Sequence, residues 1–130
     1  MASDGAELIV ADIDAARVNE VVTRHNARAT DPVSIHGAEV DVYAPCALGA
    51  VINDQTVPKI RATVVAGAAN NQLAEDPHGQ ALRERVILYA PDYVINAGGI
   101  INISYEFGGY DSDRARQHTG RIYDLLLEFF

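Results

Sequence analysis

Four short apolar runs, at residues 8–11, 40–44, 62–66 and 86–90, limit what this chain can become. Each is rich in β-branched residues and largely continuous rather than alternating. Strands covered on both faces read this way, and such strands belong to parallel sheets flanked by helices. The segments between them carry a helical period. Over residues 15–27, Val18, Val21 and Val22 share one face while Arg17, Glu20, Arg24 and His25 point elsewhere, and Asp14 stands ahead as an N-cap. Residues 76–85 read as a second helix, with Pro77 at its first position and Leu82 and Val86 four apart. Residues 53–60 read as a short helix or turn. Strand and helix in alternation imply βαβ units with right-handed crossovers. Beyond Tyr89 the pattern changes to two helices, 97–107 and 113–130, split by a turn at Gly108, Gly109, Tyr110 and Asp111. The second carries Ile122, Leu125, Leu126 and Phe129 at helical spacing. Gly98 and Gly99 open the first, where two missing side chains let a backbone or ligand approach a positively polarised helix end.

Composition narrows the function classes. At 130 residues the chain is one domain in length, and an apolar share of 48% is that of a globular protein rather than a disordered one. A net charge of −8 opposes binding to nucleic acid or anionic membranes, so neither is an expected partner. Cys46 is the only cysteine, which points to a reducing, cytoplasmic setting. No apolar run approaches the ~20 residues of a membrane span, and no basic-then-apolar leader is visible. The histidines His25, His36, His78 and His118 lack ligand spacing and read as surface residues; no metal is expected. Among ten basic residues there is one lysine, Lys59, and nine arginines.

The residues suited to chemistry sit where apolar runs end. Asp12 follows the first run and precedes a helix. An acid there can hold an adenosine ribose, as in dinucleotide-binding folds, or serve with Asp14 as a helix cap; position alone leaves both open. The glycine fingerprint for pyrophosphate belongs about 20 residues before such an acid. Only eleven residues precede Asp12, with Gly5 their single glycine. The second run leads into Cys46, Ala47, Leu48 and Gly49, small residues at the edge where open α/β sheets bind ligands. No base adjoins Cys46 to make it a nucleophile, so it reads as a wall residue. The third run leads to Asn70 and Asn71, which suit an uncharged polar ligand group or a simple turn. The fourth leads to Asn96, which can cap a helix, reach into a site, or both.

Taken together, Asp12 after its apolar run, Ala44-Pro45-Cys46-Ala47-Leu48-Gly49, Gly67-Ala68-Ala69-Asn70-Asn71-Gln72-Leu73 and Tyr89-Ala90-Pro91-Asp92-Tyr93-Val94-Ile95-Asn96-Ala97-Gly98-Gly99 resemble the glutamate/leucine/phenylalanine/valine amino-acid dehydrogenases, the leucine dehydrogenase branch most of all. The ordered set covers nearly the whole chain. The resemblance implies a Rossmann-type parallel sheet with flanking helices. It also implies the NAD-binding portion of an enzyme that oxidatively deaminates branched-chain or aromatic L-amino acids to 2-oxo acids. Carried over by position, Asp12 would hold the adenosine ribose, and Cys46, Ala47 and Leu48 would line the cofactor path. Asn70 or Asn71 would lie near the cofactor ribose and substrate carboxylate. Asn96 would bond the nicotinamide carboxamide, and Ile100 and Ile103 would wall the substrate side-chain pocket.

The same resemblance implies what residues 1–130 do not contain. The family's catalytic lysine pair and aspartate belong to a separate substrate domain, and Lys59 matches neither lysine. The chain is therefore expected to be a partial dinucleotide-binding domain, truncated before its first strand and glycine-rich turn, with no turnover of its own and a homo-oligomeric parent. The rival expectation is a non-catalytic nucleotide-binding or interaction module on the same scaffold. In the strand order 3-2-1-4-5-6 the first strand is central, so a gap is expected between the run at 8–11 and the run at 40–44.

Overall fold

The computed structural model describes residues 1–106 and 109–129. The expected helix end at Phe107, the turn residue Gly108, the side chain of Phe129 and the terminal Phe130 lie outside what is described. Each apolar run supplies a strand shorter than itself. In chain order they are β1 (Ile9–Val10), β3 (Val42–Tyr43), β4 (Val64–Val65) and β5 (Leu88–Tyr89), with β2 (Arg28–Ala29) intervening. Every pairing is parallel, β1 with β2 and β3–β4–β5 in register Val42↔Val64↔Leu88 and Tyr43↔Val65↔Tyr89. The mixed α/β class with parallel strands and flanking helices is thus the one expected. β2 was not, because Arg28–Ala29 is exposed and carries no apolar signal; Arg28 and Thr30 join the sheet by donating their N–H groups to Leu8 and Val10.

The expected gap is present. β1 and β3 are edges of two separate sheets, and a groove of about 640 Å³ lies between them, lined from both sides by residues such as Ile9, Val10, Val40 and Val42.

The helices are α1 (Ala15–His25), α2 (Pro77–Glu84), α3 (Asp92–Ile95), α4 (Gly98–Ser104) and α5 (Ser112–Phe129). Asp14 caps α1 as expected, accepting from the N–H groups of Ala16 at 2.9 Å and Arg17 at 3.4 Å. Asn26 ends it in the left-handed region that asparagine tolerates. The segment 53–60 is a turn that tightens into a 3₁₀ helix at Val57–Lys59, started by Asn53 Oδ1 accepting from the Gln55 and Thr56 N–H groups at 3.0 and 3.1 Å. Arg85 satisfies the far end, its guanidinium donating to the carbonyls of Val57 and Ile60. Among the described residues no helix is long and apolar enough to cross a membrane.

The core lies on one face of the larger sheet. Ile52, Ile60, Val65 and Leu82 are fully buried there, joined by Tyr43, Val57, Ala62 and Ile87. Here the sequence expectation needs correcting. These strands are not covered on both faces: Val42 and Leu88, in the other row of the register, are each 39% exposed. Their continuous apolar character reflects a second face that the described helices cover only in part. Two further corrections follow the chain. Val86, paired by spacing with Leu82, lies past the end of α2 at φ 58° and is 88% exposed. Two of the four histidines are not surface groups. His78 is buried, accepting the Glu75 N–H at 3.0 Å and contacting Asp54 at 3.2 Å, and His36 is half-buried against the Tyr43 hydroxyl at 2.7 Å. Both imidazoles fill space beside the core while satisfying local polar groups, a use that ligand spacing does not reveal.

Candidate active site at the strand carboxyl ends

Three loops leave the carboxyl ends of β3, β4 and β5; the first two are joined by backbone hydrogen bonds, and the third is tied to the second by the side chains of Asp92 and Asn96. The Pro45 carbonyl accepts the Ala69 N–H at 2.9 Å, and the Asn71 carbonyl accepts the Ala50 N–H at 2.7 Å. Glycines make these approaches possible. A Cβ on Gly67 would collide with the Pro45 backbone, and one on Gly49 would lie 2.8 Å from the Asn70 carbonyl oxygen. Small residues in these loops therefore serve loop-to-loop packing first.

The asparagines are brought together. Asn96 ends α3 and does not cap α4, whose N-cap is Ala97. Its Nδ2 donates to the Ala69 carbonyl at 3.2 Å and to Asn70 Oδ1 at 2.7 Å. Because the Ala69 oxygen can only accept, the orientation of the Asn96 amide is set by chemistry. Among the described residues two groups have no protein partner in this pairing: Asn96 Oδ1, an acceptor, and Asn70 Nδ2, a donor. Asn71 is exposed beside them at φ 50°. Asp92, at the start of α3, accepts the Gln72 N–H at 2.8 Å. Gln72 lies buried beneath the asparagines, and sequence reasoning passed over it; a lone amide in a run of small residues gives no signal. Tyr89 below them has its hydroxyl pKa pushed up to about 12 by burial, with the Asp92 charge adding to it, so it keeps its proton.

Asp12 is exposed just past the carboxyl end of β1. Its Oδ1 accepts the Asp14 N–H at 2.9 Å, so Asp14 alone caps the helix and Asp12 has a second oxygen to offer. Cys46, Ala47 and Leu48 are exposed beyond β3, Leu48 by 78%. Ile100 and Ile103 are exposed on α4. The glycine pair at the start of that helix divides its labour. Gly98 permits close approach of α5, where a Cβ would meet Thr119 Cγ2 at 3.2 Å, whereas Gly99 faces open space.

Nearly the whole chain is similar to known proteins. The glutamate/leucine/phenylalanine/valine dehydrogenase family matches residues 4–115. Leucine dehydrogenase of Bacillus cereus is 52% identical over 126 residues, 97% of this chain and 34% of that protein. Leucine dehydrogenase of Geobacillus stearothermophilus is 50% identical over 127 residues, 98% of this chain and 35% of that one. The crystal structure of L-tryptophan dehydrogenase from Nostoc punctiforme superimposes with a TM-score of 0.94 at 44% identity, over 97% of this chain and 38% of that chain. The chain spans about a third of the length of the curated relatives it matches. It belongs to the glutamate/leucine/phenylalanine/valine dehydrogenase family.

Proposed function

We propose that this chain is the NAD-binding portion of an amino-acid dehydrogenase that oxidatively deaminates branched-chain or aromatic L-amino acids to 2-oxo acids and ammonia. The observation that carries the reading is the pair formed by Asn96 and Asn70, joined at 2.7 Å, with one acceptor and one donor left to offer. A primary carboxamide needs that complement: Asn96 Oδ1 would accept from its N–H, and Asn70 Nδ2 would donate to its oxygen. The residues at the other end also suit the cofactor. The free oxygen of Asp12 accepts from adenosine ribose hydroxyls, and its charge repels a 2′-phosphate, which favours NAD over NADP. Cys46, Ala47 and Leu48 would line the cofactor path between the two ends, and Asn71, next to Asn70, would lie near the ribose and substrate carboxylate.

When bound, the oxidised nicotinamide accepts a hydride from the substrate α-carbon. The share of this chain is to bind and orient. Asn96 and Asn70 fix the ring about its carboxamide, and Ile100 and Ile103 offer apolar surface to the substrate side chain. Removing a proton from the water that attacks the imine, and returning one to the departing nitrogen, needs an acid–base group; Lys59, at the end of the 3₁₀ turn Val57–Lys59, is outside these loops. Those groups belong to the rest of a two-domain parent, which we place in the cytoplasm as a homo-oligomer.

Equilibrium titration of the chain with NAD and NADP tests the reading. Binding of NAD at least about tenfold tighter than NADP is expected, lost in Asp12→Asn through weakened ribose contacts. Equal affinity for both, or a preference for NADP, would contradict the assignment of Asp12.

A further inference from the structure

Gln72 is fully buried, and among the described residues its side-chain oxygen has no hydrogen-bond partner. A buried amide oxygen without a partner opposes folding, so the place of this amide is explained by what its nitrogen does. What the amide does achieve is confined to one loop. Its Nε2 donates to the carbonyls of Gly67 at 2.6 Å and Ala69 at 3.0 Å, while its backbone N–H is held by Asp92 at 2.8 Å. The Ala69 oxygen is therefore shared. One lone pair takes Gln72 from inside the protein, and the other takes Asn96 Nδ2 from the ligand-facing side at 3.2 Å.

We propose that Gln72 is a positioning residue for nicotinamide recognition. It fixes the Ala69 carbonyl, which fixes the Asn96 amide, which aligns Asn70, so that the acceptor and donor of the pair face a carboxamide before it arrives. The inference rests on the reading of Asn96 and Asn70 given above. A residue that serves only the stability of its loop leaves Asn96 unchanged wherever the variant folds; a positioning residue loses its effect on Asn96 even where stability is kept.

The experiment compares the ¹⁵N-labelled chain with Gln72→Met. Solvent exchange of the Asn96 side-chain amide protons is measured against those of the exposed Asn19 in the same spectrum. The ratio is expected to rise by about tenfold or more in Gln72→Met, and the affinity for nicotinamide mononucleotide to fall by a similar factor, with that for AMP unchanged. An unchanged exchange ratio in a folded Gln72→Met overturns the proposal. If that variant loses its dispersed backbone spectrum, Gln72→Glu carries the test within one protein. A carboxylate facing two carbonyls repels them, whereas the protonated acid restores one donor. Relative to Asn19, Asn96 exchange must then slow as pH falls from about 8 to about 5, and a flat ratio refutes the role. Absence of nicotinamide mononucleotide binding to the unsubstituted chain counts against the cofactor reading instead, and leaves the exchange ratio to decide the role of Gln72.

Discussion

Gly67 lies against Pro45 so closely that a Cβ built on it would overlap the Pro45 carbonyl oxygen and nitrogen and sit 2.7 Å from the carbonyl carbon. This approach joins the loop after β3 to the loop after β4, and with the Ala69–Pro45 hydrogen bond it holds the Asn70 loop in place. Gly67→Ala must push two backbones apart and is expected to cost about 1–3 kcal/mol in chemical denaturation. Gly99→Ala is the control: nothing lies within 4 Å of its Cβ position, and alanine in α4 should be neutral or stabilising by up to about 1 kcal/mol. Equal behaviour of the two variants would mean that the loop contact is absent in solution.

Val86 holds a left-handed φ of 58° with 88% of its surface in water, a conformation its branched Cβ disfavours without any burial in return. Val86→Gly is expected to raise the unfolding free energy by about 1 kcal/mol, since glycine takes this end-of-helix conformation without strain. A loss of stability on that substitution would show that Val86 contributes contacts the geometry does not reveal.

The His36 pKa is lowered, chiefly by burial and secondarily by the Lys59 charge. Tyr43 beside it has its own pKa pushed up to about 12, so the phenol keeps its proton, and its hydroxyl shares a hydrogen bond with Nδ1 of the neutral imidazole at 2.7 Å. The unfolded state then binds the His36 proton more readily than the folded one. Stability from this pair is complete above the unfolded histidine pKa of about 6.5 and is lost as pH falls below it through the folded value. Thermal midpoints measured between about pH 8 and 5 should drop on the acid side, and His36→Gln should remove part of that drop. A midpoint independent of His36 across this range would argue against its burial.

How much of this was legible in the sequence depended on whether a signal was local. The strand positions were, because β-branched runs such as Val64–Val65 announce themselves, and so was Asp14, whose place before an amphipathic segment leaves few other roles. Arg28–Ala29 was not: it becomes a strand only because Leu8 and Val10 offer carbonyls to it. The covering of one sheet face rather than two was equally hidden, since Val42 and Val65 look alike in sequence and differ only in what packs over them. In the candidate site, Asn70 and Asn96 could be nominated from their positions after apolar runs, but their bond spans 26 residues and needs the fold. Gln72 was invisible because its importance lies in two carbonyls that any sequence would supply.

Neither leucine, valine nor phenylalanine is expected to support NAD reduction by this chain. Its single lysine lies at Lys59, and Asn96 and Asn70 are neutral amides that cannot move a proton at neutral pH. A coupled absorbance assay at high protein concentration checks this. Turnover above background would mean that an acid–base group exists within these residues and that the division of labour proposed for the chain is wrong.

The central claim, that Asn96 and Asn70 together receive a nicotinamide carboxamide while Asp12 receives the ribose, is tested most directly by titrating NAD into the ¹⁵N-labelled chain. With carboxamide and ribose contacts alone, dissociation in the range of about 0.1–1 mM is expected. The side-chain amides of Asn70 and Asn96 and the backbone amide of Asp14, which bonds Asp12, should shift with one common binding curve. Saturating shifts confined to other residues, or none at these three positions at several millimolar NAD, would contradict the account.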